Sequence, residues 1–340
     1  MFPKSILDRD AAEKEAKTTG VAYEQLFMRH WDRWLDGKRS QLFALTLDDT
    51  GRASGAPVAL TDEVPAPVPS RTWGGTEEYV ISPDGDTVYF TARLSDAQEA
   101  WSTNYDLYAA PMNGDGPAVN LTADNPAWDT QPVLSPDGRR LAWKAMSRPG
   151  FEADRFRVML RDLASGETRE VATGWDFSAA SIAFAADGGA ILASAQDRGR
   201  RTLWRLPLDG AAPQRVAEDG TITGFEVHPR GVVYARDTLT SPNELFWLPA
   251  GADRAVQITD FSGPQLADVE LGAYEQFSFE GAGGATVYGY VVKPAEFEKG
   301  ESYPVAFLIH GGPQGSFGDH FHYRWNPQTY AGQGLSLIHI

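Results

Sequence analysis

The sequence contains no cysteine among its 340 residues. This excludes disulfide bonds, a cysteine nucleophile and thiolate metal sites, but cysteine-free chains suit both the cytosol and the periplasm. Long apolar runs are also missing, since no stretch approaches the roughly 18 residues of a membrane-spanning helix. We therefore predict no membrane partner.

Basic residues are scarce relative to acidic ones. The chain has 30 Lys and Arg against 46 Asp and Glu, a formal net charge of −16. Such a surface repels phosphate backbones, which argues against nucleic acid as a partner. The start Met1-Phe2-Pro3-Lys4 lacks the layout of a signal peptide. The true start could lie upstream, so the localisation, cytoplasmic or periplasmic, stays open.

A four-residue turn recurs at intervals of 53, 50 and 43 residues. Its copies are Ser82-Pro83-Asp84-Gly85, Ser135-Pro136-Asp137-Gly138, Ala185-Ala186-Asp187-Gly188 and His228-Pro229-Arg230-Gly231. Proline second and glycine fourth suit a type I turn, and aspartate is turn chemistry there, not catalysis. Each turn joins two short strands rich in β-branched and aromatic residues, which predicts a hairpin.

A second hairpin follows each of these turns. Four strands at a period of about 40–50 residues are typical of propeller blades. We count five units, of which the first, at Leu42–Thr61, lacks the turn hairpin. The predicted domains are a polar helical segment over 1–20, with its helix at Asp8–Lys17, and an all-β propeller over 21–268. The proline-rich Val64–Pro69 is predicted to be an extended connector, and Trp128 and Trp175 to pack between blades.

The pattern changes after Asp268. A hairpin outside the repeat precedes a buried-type strand at Val305, which runs directly into His310-Gly311-Gly312-Pro313. In α/β-hydrolases a glycine-rich turn after the third strand supplies a backbone N–H to the oxyanion hole, and glycine lets the backbone turn sharply there. We predict that residues 269–340 begin an α/β-hydrolase domain, with Gly311 and Gly312 as oxyanion donors and His310 structural. The alternative is a plain tight turn.

The sequence gives weaker indications of function for the other candidate residues near this turn. A nucleophile elbow, Gly-x-Ser-x-Gly, does not occur, and Ser316 in Gln314–Gly318 follows the glycine turn directly and not a separate strand. His320 and His322 could face one metal, but zinc needs three or four ligands and no companion cluster is visible, so no metal is predicted. An aromatic set either lines a cleft or, as we favour, packs in a core: Phe317, Phe321, Tyr323 and Trp325. No motif indicates a cofactor.

Together these features resemble the prolyl oligopeptidase family of serine peptidases, in its acylaminoacyl-peptidase and bacterial dipeptidyl-peptidase branch. The segment Tyr303–Gly334 carries the most specific part of the resemblance. It implies a propeller that admits short peptides and a Ser-Asp-His triad in the hydrolase domain. Only Gly311 and Gly312 carry over to this chain; the nucleophile, acid and base would lie beyond residue 340.

The resemblance makes this chain the front part of a longer peptidase. We expect it to be inactive alone and poorly stable, because an unclosed propeller exposes blade faces and strand edges. Residues 335–340 have strand character but do not look like the family's sequence, which suggests a non-native tail. The alternatives are a non-catalytic propeller used as a binding scaffold and an esterase or lipase. Bond specificity and oligomeric state stay open.

Overall fold

A computed structural model describes residues 11–12, 14–20, 29–30, 33–34, 38–71, 74–94, 99–312 and 314–340. Part of the helix predicted at Asp8–Lys17 lies outside the described residues; within it, residues 11, 12, 14 and 15 are helical. The chain divides into two compact units, residues 1–169 and 170–340. No helix in the described ranges is long and apolar enough to cross a membrane.

The first unit is built from antiparallel strands in chain order. Two short pairs come first: β1 (Arg29–His30) with β2 (Arg33–Trp34), and β3 (Phe43–Leu47) with β4 (Ala53–Ala59). A four-stranded sheet follows, made of β5 (Tyr79–Ile81), β6 (Thr87–Ala92), β7 (Asp106–Pro111) and β8 (Val119–Asn120). A second one contains β9 (Asp129–Leu134), β10 (Arg140–Ala145), β11 (Arg157–Asp162) and β12 (Thr168–Val171), and the division between the units falls inside β12.

The Ser-Pro-Asp-Gly turns close as their chemistry predicts. Gly138 has a φ of +68° and donates its N–H to the Ser135 carbonyl at 2.8 Å. The Ser135 hydroxyl accepts from Arg140 N–H at 2.9 Å, and the Asp137 carboxylate accepts from Arg139 N–H at 3.1 Å. The same bonds form around Ser82. The aspartates are thus held by the turns.

The proline-rich stretch does more than connect the first two units. Val64, Ala66 and Val68 are buried, with Val68 fully so, and they pack with Val88 and Phe90 in one core. The stretch is bent and not extended, since the Ala66 N–H donates to the Val64 carbonyl at 2.8 Å and bends occur on both sides of Pro67. The prediction of an extended connector was therefore wrong in its conformation and also missed this packing role.

The second unit begins with two more four-stranded meanders. Their strands are β13 (Ala179–Phe184), β14 (Ala190–Asp197), β15 (Arg200–Pro207) and β16 (Gln214–Ala217), then β17 (Thr221–His228), β18 (Gly231–Thr238), β19 (Ser241–Pro249) and β20 (Val256–Gln257). A single parallel pair, Arg201 with Thr221, joins β15 to β17. A shared core lies between the meanders and includes Leu192, Leu203 and Ile222.

A mixed sheet completes the second unit. After the short helix α1 (Gly263–Leu266) come β21 (Tyr274–Glu280), β22 (Thr286–Val292), β23 (Val305–Leu308), α2 (Pro327–Ala331) and β24 (Ser336–His339). The sheet order is β21-β22-β24-β23, and only the β23–β24 pair is parallel. The strand predicted at Val305 is present. The prediction that this strand is fully buried was wrong, because Val305 and Phe307 are 57% and 55% exposed on a face that no described element covers.

Candidate active site around the glycine turn

The glycine turn follows β23 directly. Gly312 has a φ of +134°, and a Cβ placed there would lie 2.7 Å from the backbone nitrogen of Gln314. Only glycine fits both conditions, whereas at Gly311 a Cβ would meet open space. Within the described residues, no acceptor takes a hydrogen bond from the N–H of Gly311 or of Gly312. Both glycines are exposed, so these donors are available to a ligand; Pro313 lies outside the described residues.

His310 stays close to its own turn. Its Nδ1 lies 2.6 Å from the Gly311 carbonyl oxygen, and its ring meets that of Phe317 edge-on at 6.4 Å. Its backbone N–H donates to the Ile340 carbonyl at 3.3 Å, which extends the parallel pairing of β23 with β24. These contacts support a structural role for His310.

The segment after the turn is anchored on the blades. Gly318 has a φ of +60°, and a Cβ there would collide with the Gly199 carbonyl oxygen in the β14–β15 turn. The next residue, Asp319, donates its N–H to that same oxygen at 2.6 Å. Its own carbonyl accepts from the Thr221 hydroxyl at 2.8 Å. Two hairpins from different meanders therefore hold this backbone.

The Asp319 carboxylate adds a third attachment. Only 3% of the residue is exposed, and Oδ1 accepts from the Leu239 N–H at 2.9 Å. Oδ2 lies 3.4 Å from the Tyr274 hydroxyl and 3.9 Å from Nε of Arg200. Burial raises the pKa of Asp319, and the bond from Leu239 opposes this. Burial, with the nearby carboxylate second, raises the pKa of Tyr274 to about 12.

His320 and His322, weighed and set aside as a metal pair, have separate partners. Nδ1 of His320 lies 2.7 Å from Oδ2 of the buried Asp237. Nδ1 of His322 accepts from the N–H groups of Arg324 and Trp325 at 3.2 and 3.0 Å. The described residues contain no group of three or more side chains that could hold a metal ion. His320 is thus engaged by a strand of the second meander, β18, and His322 by its own loop.

The four aromatic residues after the glycine turn differ in their burial. Phe317 is half-buried and lines a cavity of about 80 Å³ beside the turn. Phe321 is also half-buried and packs edge-on against Tyr323, but Tyr323 is 82% and Trp325 43% exposed. Core packing, the favoured prediction, is therefore wrong for Tyr323 and Trp325, because no described element covers them. Cleft lining holds for Phe317.

Ser316 lines the same cavity as His320, but within the described residues no base is hydrogen-bonded to its hydroxyl. Its side chain is exposed, and within the described residues its hydroxyl makes no hydrogen bond to a histidine or a carboxylate. A serine nucleophile needs a base within hydrogen-bonding reach. The structure gives Ser316 no such partner.

The sequence analysis missed the contacts that hold the site. Gly199, Gly318 and Asp319 were not singled out, because none belongs to the repeated turn or to the His-Gly-Gly-Pro motif. The one local signal is Gly199 between two arginines at a strand end, which predicts a turn. That signal cannot name Gly318 as its partner 119 residues along the chain.

Comparison with known proteins gives close sequence relatives in fungi. The dipeptidyl-peptidases 5 of Trichophyton equinum and of Arthroderma otae are each 30% identical to this chain over 355 aligned residues. Each alignment covers 98% of this chain and 49% of the relative. The chain therefore spans about half the length of the curated relatives it matches. No family model matches the chain.

Solved structures support the fold. An acylaminoacyl peptidase of Pyrococcus horikoshii superposes with a TM-score of 0.63 at 20% identity, over 76% of this chain and 39% of that one. A puromycin hydrolase gives 0.51 at 17% identity, over 88% of this chain and 54% of that one. With the four-stranded meanders, this confirms the predicted fold class, an all-β propeller followed by the start of an α/β-hydrolase domain. The domain boundaries at 20/21 and 268/269 stay predictions.

The residues that carry the resemblance, the blade sheets and the sequence relatives agree with one another. The family membership predicted from the sequence is confirmed by relatives that are named as peptidases. The chain belongs to the prolyl oligopeptidase family, a family of serine peptidases.

Proposed function

We propose that the protein containing this chain is a serine peptidase that cleaves short peptides by acyl transfer. The observation that carries the proposal is the glycine turn after β23, where the N–H groups of Gly311 and Gly312 are exposed and free of acceptors in the described residues. In acyl transfer a serine oxygen attacks the peptide carbonyl, and backbone donors of this kind stabilise the oxyanion that forms.

The remaining catalytic groups are assigned outside these 340 residues. The sequence has no Gly-x-Ser-x-Gly, and among the described residues no base is hydrogen-bonded to Ser316. A histidine would take the proton of the serine and return it to the leaving amine, with a carboxylate orienting the ring. In a well-studied serine peptidase, loss of nucleophile and base costs about 10⁶ in kcat. The chain by itself is therefore proposed to be inactive.

The propeller is proposed to restrict access to the site by size. The support is the anchoring of the segment after the glycine turn on two blade hairpins, through Asp319, Gly199 and Thr221. A site held against the blades can be reached only where they leave room. Short peptides would then be cleaved and folded proteins spared.

The test is an assay of the intact protein that contains this chain. Short peptide p-nitroanilides should be hydrolysed, and a serine-directed phosphonofluoridate should abolish this activity. A folded protein that contains the same peptide bonds should not be hydrolysed. The reading frame should carry Gly-x-Ser-x-Gly, then aspartate, then histidine. An intact protein that neither hydrolyses these peptides nor reacts with the inhibitor would favour the binding-scaffold alternative.

A further inference from the structure

The cavity of about 80 Å³ beside the glycine turn has walls of two kinds. Strands β14, β15 and β17 contribute Gln196, Arg201 and Thr221, which lie opposite one another in the sheet register. The loop after the glycine turn contributes Phe317 and His320. Side chains at paired positions share a sheet face, so the strand residues form one row along the cavity wall.

The cavity is cationic in a strongly acidic protein. Its cations are Arg200 and Arg201, and none of the described lining residues is an aspartate or a glutamate. Nε of Arg200 lies 3.9 Å from Oδ2 of Asp319, and the ring of His320, which also lines the cavity, pairs with Asp237. No carboxylate pairs with Arg201 within the described residues.

The Arg201 side chain also holds an unused donor. Its Nε is buried from solvent and has no hydrogen-bond partner within the described part of the chain, a property shared by Nε of Arg200. The half-buried guanidinium of Arg201 therefore keeps donors that no described acceptor takes. Guanidinium groups bind carboxylates through two parallel hydrogen bonds, which a lysine ammonium cannot match.

We propose that Arg201 and the cavity around it form a binding site for the C-terminal carboxylate of a short peptide. The site favours peptides with a free C-terminus. Phe317 supplies an apolar wall for the last side chain, and Gln196 supplies an amide group beside the guanidinium.

The dimensions suit this ligand. A buried water needs roughly 10–15 Å³ of such volume, so the cavity takes roughly five to eight water-sized groups. That is room for a carboxylate and part of one residue. The inference rests on the proposed function for its substrate class, since it names the end of the peptide that the same site holds.

The experiment measures binding and does not require turnover. Calorimetric titration of the 340-residue chain would compare Ala-Ala-Phe carrying a free carboxylate with the same peptide amidated. We expect the acid to bind about tenfold more tightly or better, the effect of one charge-assisted hydrogen bond. Arg201→Gln should remove this preference, and Arg201→Lys should restore only part of it because the ammonium lacks the planar fork.

The matched control is Arg230→Gln. Arg230 is exposed in the β17–β18 turn at the far end of the same sheet, so this variant should keep the full preference for the acid. Thermal unfolding of each variant checks that the fold persists. Equal affinity for acid and amide, no measurable binding of either, or a preference that survives Arg201→Gln in a folded protein would overturn the proposal.

Two more ligands test whether the site recognises the C-terminal carboxylate or any anionic group. Amidated Ala-Asp-Ala presents a side-chain carboxylate only, and inorganic phosphate presents an anion with no peptide. The proposal expects both to bind more weakly than the free-terminus peptide. Tighter binding of the amidated Asp peptide, lost in Arg201→Gln, would overturn the C-terminal assignment.

Failure of the inference and failure of the proposed function give different results. An intact protein that hydrolyses acid and amide peptides equally well would refute the carboxylate site and leave the peptidase standing. If the chain binds acids through Arg201 but the intact protein hydrolyses no peptide, the carboxylate site stands and the peptidase proposal is refuted.

Discussion

Asp319 donates its backbone N–H to the Gly199 carbonyl at 2.6 Å, and this bond joins the segment after the glycine turn to a blade hairpin. The approach is this close because Gly318 lacks a side chain where the two backbones meet, whereas a Cβ at Gly199 would crowd the Tyr290 ring at 3.0 Å. The hydrogen bond, the two glycines and the buried Asp319 carboxylate form one junction between the blades and the start of the hydrolase sheet.

Gly318→Ala should destabilise this junction strongly. The residue has a φ of +60°, and the new Cβ would collide with the Gly199 carbonyl oxygen, so strain and overpacking add to about 2–3 kcal/mol. Gly251→Ala is the control, because Gly251 has a φ of +76° but open space around its Cβ, and should cost only about 1 kcal/mol. Urea unfolding of both variants measures the difference, and equal costs would argue against tight backbone contact.

Asp319→Ala should cost about 1–3 kcal/mol, because the buried N–H of Leu239 loses its acceptor. Asp319→Asn keeps an oxygen for that N–H and should cost less. The exposed Asp253 has no partner among the described residues, so Asp253→Ala should stay within about 0.5 kcal/mol of the parent chain. If the asparagine variant proved as damaging as alanine, the charge of Asp319, and not the bond to Leu239, would be the stabilising feature.

Asp129 should make stability depend on pH. It is 1% exposed, and burial raises its pKa to about 7, although bonds from Trp143 and Asn125 oppose the shift. In the unfolded chain the group titrates near 3.9. Between about pH 4 and pH 7 the folded state therefore holds a proton that the unfolded state has lost, so this contribution to the unfolding free energy falls as pH rises and is constant above pH 7.

Asp129→Asn removes this titration. Urea unfolding of both proteins at pH 4, 5.5, 7 and 8 should show a steeper fall with pH for the parent chain over that window. Parallel curves for the two proteins would mean that the aspartate is ionised in the folded state throughout.

Gly312→Ala should impair catalysis in the intact protein that contains this chain. Its φ of +134° and the nearby Gln314 nitrogen force the turn to move, which displaces the oxyanion donors. Loss of one such donor costs about 10²–10³ in kcat, with little change in KM. Gly300→Ala is the control, since Gly300 has a φ of +104° in an exposed loop with open space. Unchanged kcat in a folded Gly312→Ala protein would refute the oxyanion assignment.

The repeat was predictable because its information is local. Pro136, Asp137 and Gly138 fix a turn within four residues, and the flanking β-branched and aromatic residues fix the hairpin. Recurrence at 43–53 residues then gives the blades. The errors came where exposure depends on distant neighbours: Val305, Phe307 and Trp325 are apolar but uncovered, and Val68 is buried although it belongs to a proline-rich connector.

The sequence by itself determined the blade repeat, the strand before His310 and the glycine turn, because backbone preferences and a period of two are written in neighbouring residues. Only the tertiary structure decided that Gly318 meets Gly199 and that Asp319 binds Leu239. It also decided that Arg201 lines a cavity where no carboxylate of the described residues pairs with it. Those contacts join residues 80 to 119 positions apart or leave a charge uncompensated, and such relations depend on packing in three dimensions.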